Sequence, residues 1–211
     1  ELENEANNLG IEMSRVMPVS VDAAALIKEP GTQQGSAEGG FATDRRSGKR
    51  VYQKRYENEE QSRNEVIANR LYQEAGVNVP DARPMTEDGK VVGVASEVVE
   101  GVKPGVARDA ADGLVIDAWL GNWDVVGEVG DNLQVGPNGE AVRIDQGGAL
   151  TTRAQGAPKG DAFGDTVSEV ETIVENNPDL APTAEQLNRG LDALESISEA
   201  DIKSVVLENG G

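Results

Sequence analysis

Residues 117–150 read DAWLGNWDVVGEVGDNLQVGPNGEAVRIDQGGAL. Asp117, Asp124, Asp131, Asn132 and Asp145 are threaded there between Trp119, Trp123, Val125, Val126 and Ile144, before the stretch runs out through Gly147-Gly148. A carboxylate in apolar surroundings is costly unless it is paired, and a bound cation would resolve that cost. Residues 132–135 and 141–144 are expected to form a hairpin around the GPNG turn. Asn132 then opens one strand and Asp145 closes the other, so the two converge. Their oxygens are the hard ligands that Mg²⁺ prefers, with water and substrate phosphate completing its shell. Asp124 lies upstream, in a loop after an apolar segment expected to be helical over 106–121. A carboxylate there can orient an attacking hydroxyl or take its proton. Asx turns at Asp131-Asn132 and Asn138-Gly139 account for those residues as well, but not for Asp145 after Val142-Arg143-Ile144.

A chain of 211 residues suffices for one substantial core or two small lobes. Aromatic residues are only 3% of it, so the core must be built from Val, Leu, Ile and Ala. With 38 acids against 19 bases the formal charge is −19, which argues against gripping nucleic acid or an anionic membrane through a broad basic face. The acidic surface suits either ordinary solvation or a high-salt milieu. Cys and His are both absent, which removes disulfides, thiolate chemistry, Ser-His and Cys-His pairs and the common zinc sites. Any catalysis must run on carboxylates, Lys, Arg, hydroxyls and hard metal ions. No apolar run approaches the roughly 18 residues of a membrane span. The opening ELENEANNLG is acidic where a signal peptide would be basic and then apolar. Residues 1–20 read as a linker or as the cut edge of a longer natural protein. The expected location is cytoplasmic, or within a phage-encoded protein.

Further along, VDAAALIKEP (21–30) reads as a short helix or a strand. A glycine-rich segment, GTQQGSAEGG (31–40), leads into a hairpin: Phe41 to Thr43, a turn at Arg46-Ser47-Gly48, and a strand from Arg50 to Tyr56. Val66, Ile67, Leu71 and Ala75 repeat at helical spacing until Gly76 and Pro80 stop them. Strands follow at Ala82 to Met85 and Val91 to Val99, joined by the EDGK turn. After Gly148 the pattern is helical. Val167, Val170, Ile173 and Val174 share one helix; Leu187, Leu191, Leu194 and Ile197 share a second. A third opens on the Ser-x-x-Asp box at Ser198. The fold class is α+β in two lobes: a small β-rich lobe over 21–101 and a reduced helical lobe over 102–211.

Several of these features could carry chemistry. Glycine clusters let backbone N–H groups approach phosphate, although residues 31–40 lack the Lys-Ser/Thr of a Walker loop and run into a strand where the dinucleotide fingerprint needs a helix. Strand alternation puts Tyr52, Lys54 and Tyr56 on one face, where Lys54 is either a snorkelling surface residue or a fixed cation for phosphate. Glu65 lies beside the apolar stripe of the next helix, facing either the sheet or solvent. SEVVEG (96–101) is a strand followed by a turn, with backbone groups on offer at a crossing between lobes.

In order, these parts are a Gly-rich loop, a strand Lys, a helix Glu, a hinge strand, an Asp-loop-Asn and a strand-Asp-x-Gly. This order over residues 31–150 resembles the protein-kinase-like fold, nearer to atypical bacterial or phage kinase-like domains, in the neighbourhood of HipA-like and phosphoinositide-kinase-like proteins, than to Ser/Thr kinases. The resemblance implies that Gly35, Ser36, Gly39 and Gly40 cover ATP phosphates and that Lys54 contacts the α/β-phosphates while paired with Glu65. It implies adenine contacts from the main chain of Glu97 and Val99, a catalytic base at Asp124, and Mg²⁺ ligands at Asn132 and Asp145. The chain departs from the pattern in having no His-Arg before Asp124, eight residues from Asp124 to Asn132 where the common loop has five, DQGG for Asp-Phe-Gly, and no Ala-Pro-Glu. Asp117 and Asp131 therefore stay as alternative bases.

The expected activity is ATP/Mg²⁺-dependent phosphoryl transfer to a protein or small hydroxyl acceptor, with AMP transfer by the same fold as a variant. Thr151 and Thr152, in TTRAQGAPKG, are candidate phosphate acceptors. Two other classes stand beside it: a nucleotide-binding pseudokinase or interaction domain of a larger assembly, and an acidic metal-binding domain without nucleotide.

Overall fold

The computed structural model of the chain describes residues 20–33, 37–127, 131–164 and 168–209. They divide into two compact units, the first comprising residues up to Leu71 with Asp81–Val98 and Ser198–Gly211, the second Tyr72–Pro80 with Val99–Ile197. The class is α+β, as expected.

The first unit is built on a six-stranded sheet. Its strands are β1 (Val21–Asp22), β2 (Leu26–Lys28), β3 (Glu38–Asp44), β4 (Arg50–Arg55), β5 (Ala82–Glu87) and β6 (Lys90–Glu97), in the spatial order β1-β5-β6-β4-β3-β2. Only β1–β5 is parallel; the other pairings are antiparallel. The stretch from Val21 is neither simply helix nor strand: a 3₁₀ turn over Ala23–Ala25 separates two short strands, capped by Asp22, whose carboxylate accepts from Ala24 N–H at 3.0 Å. Asp44 sets the β3–β4 turn. Its carboxylate accepts from Arg46 N–H at 3.0 Å and from the Ser47 hydroxyl at 2.6 Å, and Gly48 supplies φ +73°. These bonds to the charged form hold the Asp44 carboxyl below its ordinary range.

Strand alternation then decides which residues meet the helix. One face of the sheet carries Ala42, Val51, Met85 and Ala95 into a cluster with Ala23 and Leu26. The other face carries Val94, Ala82 and Tyr56 against Val66 of helix α1 (Glu59–Glu74). Lys54 shares this second face because it lies two residues before Tyr56, which directly follows β4.

In the second unit a three-stranded sheet, β7 (Lys103–Pro104), β8 (Leu133–Val135) and β9 (Ala141–Arg143), runs in that order. The β8–β9 hairpin was expected; β7 at its edge was not. The helix expected over 106–121 is shorter. A 3₁₀ turn covers Ala110–Gly113 and α2 covers only Leu114–Trp119. A close packing contact and a backbone angle accompany the shorter run. The Arg143 guanidinium lies 2.6 Å from where a Gly113 Cβ would be, and Gly121, at φ +57°, ends the helical run. Leu114, Leu133, Ala141 and Leu180 form the unit's core with Ala107, Ala110 and Ala111.

Helices α3 (Ser168–Asn176) and α4 (Ala184–Ser196) follow, and α5 (Glu199–Glu208) belongs to the first unit. Val167 lies outside the described residues. The apolar stripe of α4 does not form its buried face, since Leu187 and Leu191 are 40% and 47% exposed and Ile197 is the C-cap. The helix instead packs through Gly190, where an added Cβ would stand 2.7 Å from Val115 and 3.0 Å from the Asp112 carbonyl. The Ser198–Asp201 capping box at α5 forms as read, and Thr183–Gln186 makes a second one at α4. Among the described residues no helix is long and apolar enough to cross a membrane.

Candidate functional site

In the first unit, Lys54 on β4 and Glu65 on α1 form an ion pair of 3.0 Å, their side chains 12% and 1% exposed. The Tyr56 hydroxyl donates to the other Glu65 oxygen at 2.6 Å. Glu65 therefore faces the sheet, with both carboxylate oxygens engaged, and Lys54 is held by that anion. A buried pair of this kind carries a desolvation cost close to its Coulombic gain, so stability alone does not explain its presence.

The backbone beside Lys54 is closely approached. Gly39 pairs with Lys54 across β3–β4, and a Cβ on Gly39 would collide with the Gln53 carbonyl oxygen. Gly40 sits at φ +150°, with the Thr32 hydroxyl 2.9 Å from where its Cβ would be. That hydroxyl donates to the Glu29 carbonyl at 2.8 Å and accepts from Phe41 N–H at 2.9 Å, closing the base of the glycine-rich segment. Gly35 and Ser36 lie outside the described residues. Thr32 was not singled out from sequence because a Thr in a polar loop carries no periodic signal.

Glu97 ends β6, and its side chain is paired with Lys49. Its N–H donates to the Asp81 carbonyl at 2.8 Å, and the next N–H, that of Val98, donates to Arg50 at 3.0 Å. One of the points at which the chain passes from one unit to the other falls between Val98 and Val99, within the segment read as a hinge.

The second unit gathers Asp124, Asn132 and Asp145. Ile144 N–H donates to the Asn132 carbonyl at 3.0 Å, so Asn132 and Asp145 stand at the same open end of the β8–β9 hairpin. The Asn132 amide donates to the Asp124 carbonyl at 2.9 Å and to its carboxylate at 3.3 Å. Gly148 closes on the same loop, since a Cβ there would lie 3.0 Å from Asp124 Cβ and 3.4 Å from Asn122 Oδ1. Asp145 turns the chain by accepting from Gly147 N–H at 2.9 Å.

Among the described residues no three acids cluster to hold a metal by themselves. Asp145 and Asn132 nevertheless fit Mg²⁺, which takes one or two protein oxygens and draws the rest from water and phosphate. With its NH₂ committed to Asp124, the Asn132 amide has its carbonyl oxygen as the atom suited to a cation.

A buried network supports this loop. Asp117 is 0% exposed, and Arg143 grips its carboxylate through Nε and Nη2, both at 2.7 Å. The Tyr72 hydroxyl donates to the same carboxylate at 2.7 Å and accepts from the Asn122 amide at 3.1 Å. Asn122 in turn accepts from Asp124 N–H at 3.2 Å. Burial opposes the charge on Arg143, but Asp117 outweighs it and holds the guanidinium above its ordinary range. Burial, reinforced by the Asp117 charge, pushes the Tyr72 hydroxyl well above its ordinary value.

Asp117 is thus enclosed by Arg143 and Tyr72, an environment for an orienting anion and not for a base that meets a substrate. Asp131 is half-buried, and its carbonyl accepts from Gln134 at 3.0 Å. Of the two threonines after Asp145, Thr151 is exposed and Thr152 is 1% exposed, bridged to Pro158. Arg143, Tyr72 and Asn122 were not picked out from sequence; an Arg in a short apolar strand was the one available signal.

No protein-family model and no curated protein matches the chain. Among solved structures it is similar to the Helicobacter pylori proinflammatory kinase CtkA, at 12% identity over 90% of this chain and 92% of that one, with a TM-score of 0.48.

Proposed function

We propose that the chain is a kinase-like phosphotransferase that takes ATP with Mg²⁺ and transfers to a hydroxyl of a protein or small molecule. The observation that carries this reading is the Lys54–Glu65 pair: a cation fixed on a strand by a carboxylate buried on the next helix. In this reading Lys54 meets the α/β-phosphates, and Gly39 and Gly40, with Gly35 and Ser36, let main-chain N–H groups approach them. Glu97 and Val99 contribute main-chain contacts to adenine. Asp145 and Asn132 hold Mg²⁺, which when bound neutralises phosphate charge. Asp124 accepts the acceptor's proton as its oxygen bonds to the γ-phosphorus and the bond to the leaving ADP oxygen breaks.

The test is thermal stability with ATP alone, Mg²⁺ alone and both. At a hundred times Kd the pair stabilises by about 2.7 kcal/mol, or roughly 5–10 °C for a chain of this size. Asp145→Ala and Lys54→Met are expected to lose that response. If ATP changes nothing with or without Mg²⁺, the reading fails. Label from γ-labelled ATP in protein or acceptor identifies phosphoryl transfer, and label from α-labelled ATP identifies AMP transfer. A nucleotide-binding pseudokinase is the second reading, favoured by the hydrogen bond that ties the Asp124 carboxylate to Asn132. It predicts MgATP binding with neither label transferred.

A further inference from the structure

Lys159 lies outside every residue assigned so far, yet its side chain is the most enclosed cation near the Asp124 loop after Arg143. It is 4% exposed. Its ammonium donates to the carbonyls of Gly121 at 2.5 Å, Gly148 at 2.8 Å and Leu150 at 2.6 Å. An ammonium has three donors, and here three main-chain oxygens receive them. The charge also stands 4.6 Å from the Trp123 ring centre and 5.6 Å from that of Phe163, where the faces of the aromatic rings favour a cation.

The three carbonyls belong to two separate stretches of chain. Gly121 opens the Gly121-Asn122-Trp123-Asp124 loop, while Gly148 and Leu150 close the Asp145-Gln146-Gly147-Gly148 turn. We infer that Lys159 is a positioning residue that clamps the Asp124 loop to the Asp145 turn, setting the separation of the groups assigned to proton transfer and metal binding.

Other features of the fold are organised around this clamp. Leu150 N–H donates to the Leu120 carbonyl at 2.7 Å, and Leu150 holds φ +55°, a strained value for a leucine. Gly121 is pressed against Phe163, 2.9 Å from where its Cβ would be. The segment that delivers Lys159 is itself folded back. Lys159 N–H donates to the Thr151 carbonyl at 2.8 Å, Arg153 N–H to Ala157 at 2.8 Å, and Thr152 bridges Pro158. The Arg153 guanidinium covers Trp123 at 4.8 Å. The stretch 151–160, whose Thr151 and Thr152 were read from sequence as candidate phosphate acceptors, thus also works as a strap whose buckle is Lys159.

The consequence for nucleotide rests on the phosphotransferase reading; the clamp itself does not. The test therefore has two readouts on the full chain carrying Lys159→Met, which keeps length and removes the charge. Amide hydrogen exchange reports the clamp without ligand: Leu150 N–H is expected to exchange at least tenfold faster, while Val94 in the first unit's core is unchanged. Calorimetric titration with MgATP reports the positioning, with affinity expected to fall at least tenfold. Lys159→Arg is the second variant. It keeps the charge over Trp123, but a planar guanidinium cannot aim its donors at three converging carbonyls, so it is expected not to restore either property. Unchanged exchange at Leu150 overturns the clamp, and rescue by Arg overturns its three-carbonyl geometry. Faster exchange with MgATP affinity within twofold of the parent overturns the positioning role. If the parent protein binds no MgATP, the phosphotransferase reading fails, and the exchange result still decides the clamp.

Discussion

The Asn132 side-chain amide donates to two atoms of Asp124, the main-chain oxygen at 2.9 Å and the carboxylate at 3.3 Å. The candidate base and a candidate metal ligand are therefore held as one unit, despite the eight-residue interval between them. The bond does two things. It orients the Asp124 carboxylate, and it commits one half of the Asn132 amide.

Replacing Asn132 by Leu removes both bonds and leaves the Asp124 carbonyl without that donor. The expected cost is about 1–3 kcal/mol, read as a lower urea midpoint with an unchanged slope. Asn132→Asp places a second carboxylate against the first. It is expected to be weaker at pH 8 than at pH 5 relative to the parent, because two neighbouring carboxylates resist joint ionisation.

Asp117 and Arg143 are a buried bidentate pair at 2.7 Å, 0% and 2% exposed. Arg143→Met leaves Asp117 buried with only Tyr72 of these partners, at an expected cost of about 3–5 kcal/mol. The double variant Asp117→Leu/Arg143→Met is expected to lose less than the sum of the two single losses. Urea unfolding of all four proteins measures the coupling.

Tyr72 supplies a pH signature. Its hydroxyl ionises well above its ordinary value of 10.0 in the folded protein, first because it is buried and second because Asp117 is beside it. A group whose folded value is raised contributes stability that is complete below its unfolded value and is lost as pH rises from there through the folded value. Folding stability is thus expected to drop above about pH 10, and Tyr72→Phe is expected to drop less steeply over the same range. Unfolding midpoints between pH 8 and 11 check the difference.

The excess of 38 acids over 19 bases predicts a salt response. Many of the bases are spent on surface pairs, such as Arg50–Glu29, Arg55–Glu87 and Arg189–Asp112, which leaves a net −19 to repel itself. Salt at 1 M shortens the screening length to about 3 Å. The melting temperature is expected to rise by several degrees between 0.05 and 1 M NaCl, at roughly 2–4 °C per kcal/mol. A flat or falling curve would show that lost surface pairs outweigh relieved repulsion.

Thr32→Val removes a hydroxyl that donates to Glu29 and accepts from Phe41. About 1 kcal/mol of stability is expected to go with it. Faster amide exchange at Phe41 N–H, with β4 unaffected, locates the loss at the base of the glycine-rich segment.

The parts of this protein that were legible in its sequence are those decided by neighbours along the chain. Alternation around Lys54, the spacing of Val66, Ile67 and Leu71, the turn at Arg46-Ser47-Gly48 and the capping box at Ser198 each follow from local stereochemistry, and each element formed where it was read. The juxtaposition of Asn132 and Asp145 was also readable, because a hairpin with a short turn brings its two open ends together by construction.

What only the tertiary structure decided is which partners the polar groups find. Nothing local to Arg143 names Asp117, 26 positions away, or tells that Tyr72 will complete the pair. Lys159 was not singled out from sequence, and its three carbonyls became a site only when the Asp124 loop and the Asp145 turn were packed side by side. The leucines of α4 show the converse: their spacing correctly announced a helix, but Gly190 made the close contact, because closeness of approach depends on the shape of the facing surface. A sequence determines periodicity and turn chemistry through interactions a few residues long. The desolvation that makes a charge require a partner, and selects which one, is set by everything that folds around it.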